Sequence, residues 1–137
     1  MVIGYTTGVF DLFHVGHVTL LQRARGLCDR LIVGVSTDEL VSYKFKKAVI
    51  PFEDRLKVVA SCRFVDAAIA QEDMNKLDAH SKINFDIMFV GDDWYKTPKW
   101  NVIESDLEER GVRVVYLPYT KSVSSTMINN KLSELRN

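Results

Sequence analysis

Two histidines stand three residues apart in a stretch that follows an apolar segment and precedes an amphipathic one. The stretch reads G-V-F-D-L-F-H-V-G-H and ends with His14, Gly16 and His17. Because a helix is expected to begin near Gly16, His17 would lie in its first turn and His14 in the loop before it. Both imidazoles can then face one small volume. The free N–H groups and the dipole of such a helix favour an anion, and Gly16 leaves room for a phosphate to approach the backbone.

Two other interpretations of the histidines stay open at this stage. The H-x-x-H spacing can place two imidazoles on one metal ion, with Asp11 as the third ligand nearby. The imidazoles can also be structural, with backbone carbonyls as partners. Cys28 and Cys62 belong to no C-x-x-C pair, so we expect reduced thiols rather than zinc ligands or a disulfide.

The elements that must position these side chains alternate between strands and helices. Short apolar runs predict five strands, which end near Thr7, Ser36, Ala70, Gly91 and Leu117. Helical patterns follow from Gly16 and at 51–62, 75–83, 100–110 and 124–135, whereas 37–50 is expected to be mostly irregular with room for one helical turn. This order predicts a Rossmann-like α/β fold, a doubly wound five-stranded parallel sheet with helices on both faces and right-handed crossovers.

Ligands of such folds bind outside the carboxyl ends of the strands, where four polar loops are predicted. One loop carries Lys44, Lys46 and Lys47, which alone would be typical of a solvated charge run. Another carries Asp92 and Asp93, which could hold Mg²⁺ or a sugar hydroxyl or merely cap a turn. Because these loops converge on the edge that carries the histidines, a phosphate site is favoured over the alternatives.

Hydroxyl-bearing residues and an arginine are also predicted near the carboxyl ends of the strands. Ser124, Ser125 and Thr126 predict the N-cap of the last helix and would also suit a terminal phosphate. Arg55 lies just inside the helix that follows Pro51 and could pair with Asp54, with Asp38 or with a ligand.

Composition restricts the classes of function. A chain of 137 residues with 47% hydrophobic residues predicts one domain, residues 1–137, with a single layered core. Its 18 basic and 18 acidic residues cancel, which argues against a general nucleic-acid-binding surface. No run reaches the roughly 18 apolar residues of a membrane span, and the first residues lack the order of a signal peptide. We therefore expect a cytoplasmic protein with neither nucleic-acid nor membrane partners.

Taken together, these segments resemble the cytidylyltransferase family of the nucleotidyltransferase α/β superfamily, above all its glycerol-phosphate members. The resemblance covers nearly the whole chain. It is carried by H-V-G-H within G-V-F-D-L-F-H-V-G-H, S-T-D-E at 36–39, K-F-K-K at 44–47, E-D-R ending at Arg55, G-D-D-W at 91–94 and V-S-S-T at 123–126.

The resemblance implies transfer of CMP from CTP to a small phosphorylated alcohol, with release of pyrophosphate. Glycerol 3-phosphate is the best single candidate for the acceptor, and Mg²⁺ would be held by the nucleotide phosphates rather than by a recognisable set of protein ligands. A homodimer is implied by the family alone. Position by position, the resemblance implies catalytic roles for His14, His17 and Lys46. It implies nucleotide binding by Val9, Phe10, Gly16, Asp92, Thr120, Ser124, Ser125 and Thr126, and acceptor binding by Asp11, Lys44, Arg55 and Lys76.

Several departures from the family pattern leave alternatives open. Tyr119 and Ser122 stand where the glycerol-phosphate members carry an arginine and a glycine, although Lys121 could restore the positive charge. Met74 replaces a tryptophan, and the segment 95–110 is longer. G-V-F-D-L-F-H is closer to members that act on choline or ethanolamine phosphate. The alternatives are therefore one of these or another polyol-phosphate acceptor, an ATP-using adenylyltransferase of the same superfamily, or a catalytically impaired nucleotide-binding module.

Overall fold

The computed structural model describes residues 1–42, 47–118 and 125–136 of the chain. Of the residues singled out from the sequence, Lys44, Lys46, Thr120 and Ser124 lie outside these ranges, as do Tyr119, Lys121 and Ser122. The backbone of Ser125 and Thr126 is described, but their side chains are not.

Strands and helices alternate along the described chain, as the sequence predicts. The strands are β1 (Ile3–Gly8), β2 (Arg30–Ser36), β3 (Ala67–Gln71), β4 (Ile87–Gly91) and β5 (Arg113–Leu117). The helices are α1 (Val15–Arg25), α2 (Asp38–Ser42), α3 (Phe52–Ala60), α4 (Lys76–Ile83), α5 (Pro98–Glu109) and α6 (Ser125–Arg136), and a 3₁₀ turn covers Asp92–Trp94.

The strands form one parallel sheet of order β3-β2-β1-β4-β5. The chain first moves outward from β1 to β3 and then crosses back to β4 on the other side of β1. The switch in strand order therefore lies at β1, whose carboxyl end leads into the histidine loop. This arrangement confirms the predicted fold class.

The core consists of two apolar layers, one on each face of the sheet. Successive residues of β4 point to opposite faces, so Phe89 packs in one layer and Met88 and Val90 in the other. The first layer contains Leu21 of α1 and Val59 of α3, and the second contains residues of α5 such as Leu107. The two layers fix the helices on both faces and hold the strand ends rigidly beneath the loops.

Two helices add detail to the sequence expectation. The segment after β2, expected to be mostly irregular with room for one helical turn, begins with the short helix α2, because Thr37 Oγ1 accepts a hydrogen bond from Leu40 N at 3.2 Å and acidic residues occupy the first turn. Helix α5 starts two residues earlier than predicted, since Thr97 caps it and Pro98 suits its first position. Within the ranges that the structure describes, no helix has the length and apolar content needed to cross a membrane.

Candidate active site

The two histidines form the N-terminal cap of α1. His14 is the N-cap residue, and its Nδ1 accepts a hydrogen bond from Gly16 N at 3.0 Å. His17 lies one turn into the helix, and its Nδ1 accepts a hydrogen bond from His14 N at 3.1 Å. This is a capping box in which imidazoles take the places usually held by a hydroxyl and a carboxylate. The backbone thus fixes the orientation of both rings.

The same hydrogen bonds determine where each ring carries its proton. A nitrogen that accepts from an N–H has no proton of its own, so both neutral rings are protonated at Nε2. Burial lowers the pKa of His14. Burial, and to a lesser degree the neighbouring His14, lowers the pKa of His17 to about 4, against the opposing effect of Asp11. Both histidines are therefore neutral at neutral pH, and each has an Nε2–H that can donate to an anionic oxygen.

Aromatic packing holds His17 in place. Its ring lies 4.0 Å from the His14 ring and 5.2 Å from the ring of Phe13, centroid to centroid, and Phe10 meets it edge-on at 5.4 Å. Phe10 is buried although its φ is +55°, in the left-handed region that non-glycine residues seldom adopt. Gly8 makes room for this ring, because a Cβ at Gly8 would lie 2.9 Å from it.

Arg55 is a buried clamp rather than a substrate-binding residue. Only 1% of the residue is exposed, and Nε donates to Ile50 O while Nη1 donates to both Val9 O and Ser36 O, each at 2.8 Å. Nη2 pairs with Asp38 Oδ1 at 2.7 Å. The expectation that Arg55 binds the acceptor is therefore corrected, because its donors face three loops of the protein itself. Of the two predicted carboxylate partners, Asp38 forms the pair.

The carboxylates of Asp38 and Asp11 also fasten loops of the site. Hydrogen bonds from Phe52 N and from Arg55 lower the pKa of Asp38. Asp11 accepts from Val49 N at 2.8 Å and from Ile50 N at 2.9 Å, one bond to each oxygen. Asp11 thus ties the segment that follows the lysine loop to the histidine loop, a positioning role that the sequence prediction of acceptor binding did not include.

A cleft of about 460 Å³ opens beside His17, a volume in the range of small-molecule sites. It brings together Val9, Phe10 and Asp11, as the sequence predicts, with residues from α1, α2 and α6. Lys47 and Asn129 also line this cleft and were not assigned to the site from the sequence. Lys47 could have been inferred from its neighbours in the lysine loop, whereas Asn129 carries no local signal.

A second cavity of about 170 Å³ lies over the carboxyl ends of the central strands. Thr7, Gly8 and Leu20 line both cavities, so the two spaces adjoin each other next to the histidine loop. Lys76 is 95% buried in its wall and donates from Nζ to Thr7 Oγ1 at 3.0 Å. The structure thus places Lys76 at this edge, but it leaves Asp92 exposed in the 3₁₀ turn, outside the lining of either cavity.

The metal interpretation of the histidines finds no support in the described residues. Among them, no group of three histidine, cysteine or acidic side chains is arranged to hold a metal ion. Asp11, the third ligand that the sequence offered, gives both oxygens to backbone N–H groups. The pair is instead suited to donating two Nε2–H bonds to oxygens of a phosphate.

The parallel sheet, with two capping histidines and a buried lysine at the carboxyl edge of its strands, defines an α/β protein of Rossmann-like architecture. A family model described as "Cytidylyltransferase-like" matches residues 5–131. The chain belongs to this cytidylyltransferase-like family of nucleotidyltransferases, and the resemblance seen in the sequence is confirmed.

Similar proteins extend over the whole chain. The glycerol-3-phosphate cytidylyltransferase of Bacillus subtilis (strain 168) is 38% identical over 132 residues, which are 95% of this chain and 96% of that protein. The bifunctional protein HldE of Granulibacter bethesdensis is 37% identical over 139 residues, 98% of this chain but 28% of that protein. Among solved structures, a lipopolysaccharide core biosynthesis protein from Thermoplasma volcanium superposes with a TM-score of 0.75 at 26% identity, covering 90% of this chain and 99% of that one.

Proposed function

We propose that the protein transfers CMP from CTP to a small phosphorylated alcohol, with glycerol 3-phosphate as the best candidate, giving CDP-glycerol and pyrophosphate. The observation that carries this proposal is the pair of neutral histidines that the cap of α1 holds with Nε2 as the protonated nitrogen, of which His17 lines the 460 Å³ cleft. The similarity to a glycerol-3-phosphate cytidylyltransferase over 95% of the chain supports both the nucleotide and the acceptor.

The transfer is a single in-line displacement. An oxygen of the acceptor's phosphate attacks the α-phosphorus of CTP, and the bond from that phosphorus to the oxygen bridging the α- and β-phosphates breaks. The bridging oxygen leaves with the β- and γ-phosphates as pyrophosphate. Because a phosphomonoester is mostly dianionic at neutral pH, the nucleophile needs no general base. The protein's task is to hold two anions together and to stabilise the charge that develops during transfer.

The residues divide this task between the two cavities. His14 and His17 donate from Nε2 to the α-phosphate and to the leaving oxygen, and Lys46 neutralises the triphosphate. The backbone at Val9, Phe10 and Gly16 forms the rest of the nucleotide site, together with Thr120, Ser124, Ser125 and Thr126, as the family resemblance implies. Lys44 and Lys76 bind the acceptor's phosphate, and the shared boundary at Thr7 and Gly8 brings the two substrates together.

Magnesium enters this proposal with the nucleotide. The ion would be held mainly by the triphosphate oxygens, as the family resemblance implies. When bound there, Mg²⁺ supplies charge neutralisation to the triphosphate and the departing pyrophosphate.

Pyrophosphate release across a matrix of nucleotides and acceptors tests the proposal. CTP and ATP are each combined with glycerol 3-phosphate, choline phosphate, ethanolamine phosphate or no acceptor, with Mg²⁺ present. We expect release that requires both CTP and glycerol 3-phosphate. A preference for ATP would indicate an adenylyltransferase instead, and no release in any combination would indicate a nucleotide-binding module without transferase activity.

We also propose, on the family resemblance alone, that the enzyme is a cytoplasmic homodimer. Light scattering coupled to size exclusion tests the assembly, because a dimer has twice the 15.6 kDa mass of one chain. A mass of one chain at micromolar concentration would contradict it.

A further inference from the structure

The acceptor cavity contains a second lysine that the family resemblance does not assign. Lys99 lines the 170 Å³ cavity together with Lys76 and Trp94. It lies in the first turn of α5. Its Nζ lies 5.9 Å from the centroid of the Trp94 ring, and both residues are exposed, Trp94 to 44%.

The charge of this cavity is positive. Among the described residues that line it, the charged ones are Lys76 and Lys99, and none is acidic. No ion pair between described residues includes Lys99. A lysine in the first turn of a helix is also disfavoured by the helix dipole, so the position of Lys99 is not explained by the stability of α5.

The positive charge of the cavity and the contact between Lys99 and Trp94 both affect the end of the acceptor that is distant from its phosphate. A quaternary ammonium usually binds on the face of an aromatic ring or near a carboxylate. Here the Trp94 ring already has the Lys99 ammonium within cation–π distance, and the described lining supplies no carboxylate. An ammonium group on the acceptor would be repelled, whereas hydroxyl or carboxylate oxygens could accept hydrogen bonds from Lys99.

We propose that Lys99, backed by Trp94, selects acceptors whose distal end carries hydroxyl or anionic groups and excludes those that carry an amine. This inference rests on the proposed function and narrows its acceptor to polyol phosphates and related anions. It makes the 3₁₀ turn that holds Trp94 and the first turn of α5 a determinant of specificity, separate from the histidine loop that performs the transfer. The cavity's volume limits the acceptor to a short chain of a few carbons.

A charge reversal at Lys99 tests the proposal, with the same change at Lys96 as the matched control. Lys96 lies three residues earlier and its Nζ packs on an aromatic ring in the same way, 5.4 Å from the Tyr95 centroid, but it is not among the residues that line the cavity. We expect Lys99→Glu to raise the KM for glycerol 3-phosphate about tenfold, to leave the KM for CTP within about twofold, and to raise kcat/KM for ethanolamine phosphate about tenfold. Lys96→Glu should resemble the wild type in all three.

The outcomes separate this inference from the proposed function. An unchanged KM for glycerol 3-phosphate in Lys99→Glu, or equal changes for acceptor and CTP, would overturn the role of Lys99 while leaving cytidylyl transfer intact. Titration calorimetry with glycerol 3-phosphate and ethanolamine phosphate measures the same selectivity without turnover. If the wild-type protein bound ethanolamine phosphate as tightly as glycerol 3-phosphate, the inference would be refuted even if no transfer were seen.

Discussion

Replacing His17 by asparagine or by glutamine separates the two functions of its ring. The Oδ1 of asparagine can occupy the position of Nδ1 and keep the hydrogen bond from His14 N, now 3.1 Å long, but it removes the Nε2–H. Glutamine places an N–H near the position of Nε2, and at the third position of a helix its amide oxygen can accept from the N-cap backbone N–H, as in an ordinary capping box. One variant therefore keeps the cap and loses the donor, and the other can keep both.

The magnitudes follow from these contacts. Loss of one donor to a transition-state oxyanion costs about 3–4 kcal/mol, so His17→Asn should lower kcat about 10²- to 10³-fold. Loss of a helix cap would cost about 1 kcal/mol of folding free energy, but both variants keep an acceptor for His14 N, so this cost falls on neither. Both variants lose the ring contacts with Phe13 and Phe10, a shared cost of about 1 kcal/mol.

The assay pairs steady-state pyrophosphate release with urea denaturation of the same preparations. We expect the two variants to be about equally stable and His17→Gln to be the more active one. If folded His17→Asn turned over within tenfold of the wild type, the Nε2–H would not be a transition-state donor. If the two variants lost equal activity, the assignment of the proton to Nε2 would be wrong.

Three further predictions concern the surroundings of the histidines. Folding lowers the pKa of His17 from 6.5 to about 4, so the unfolded chain binds the proton more readily between these values. The stability that depends on neutral His17 is fully present above about pH 6.5 and is lost as the pH falls towards 4. After allowance for solvent screening, the loss amounts to about 1–2 kcal/mol. We expect the Tm of the wild type to fall over this pH range by more than the Tm of His17→Asn, which has no imidazole at this position. Arg55→Met leaves Val9 O, Ser36 O and Asp38 without their donor. We therefore expect urea titrations to show a free energy of unfolding that is lower by about 3–5 kcal/mol, and a loss below about 1 kcal/mol would contradict the role of Arg55 as a clamp. Lys76→Met should raise the acceptor KM about tenfold or more and leave the CTP KM within about twofold, and equal changes would rule out an acceptor role.

The fold could be predicted from the sequence because its signals are local. A parallel strand that is buried on both faces is a continuous apolar run, and 31–36 and 87–90 are such runs. Each of these runs is followed by a segment with helical periodicity. The positions of the loops at the carboxyl ends of the strands, including the histidine loop, could therefore be predicted. For helix α2 the sequence allowed one helical turn without locating it, because five residues are too few to show periodicity.

The roles of individual site residues depend on contacts between distant segments, which one sequence does not reveal. Arg55 is an ordinary residue of a first helical turn in the sequence, and its burial follows from carbonyls 5, 19 and 46 residues away. Lys99 looks like a solvated surface lysine until α5 brings it to the cavity that contains Lys76. The sequence placed His14 and His17 together, but the proton positions follow only from the hydrogen bonds of the cap.

Direct observation of the product by ³¹P NMR tests the central claim, that the histidine site transfers CMP from CTP to a phosphorylated alcohol. With CTP, Mg²⁺ and glycerol 3-phosphate, we expect the α-phosphorus signal of CTP to be replaced by the paired signals of a CDP-linked alcohol, with one equivalent of pyrophosphate. His17→Asn should slow this conversion at least about a hundredfold without loss of the folded state. Formation of CMP without a CDP-linked product, or conversion of ATP in preference to CTP, would contradict the claim.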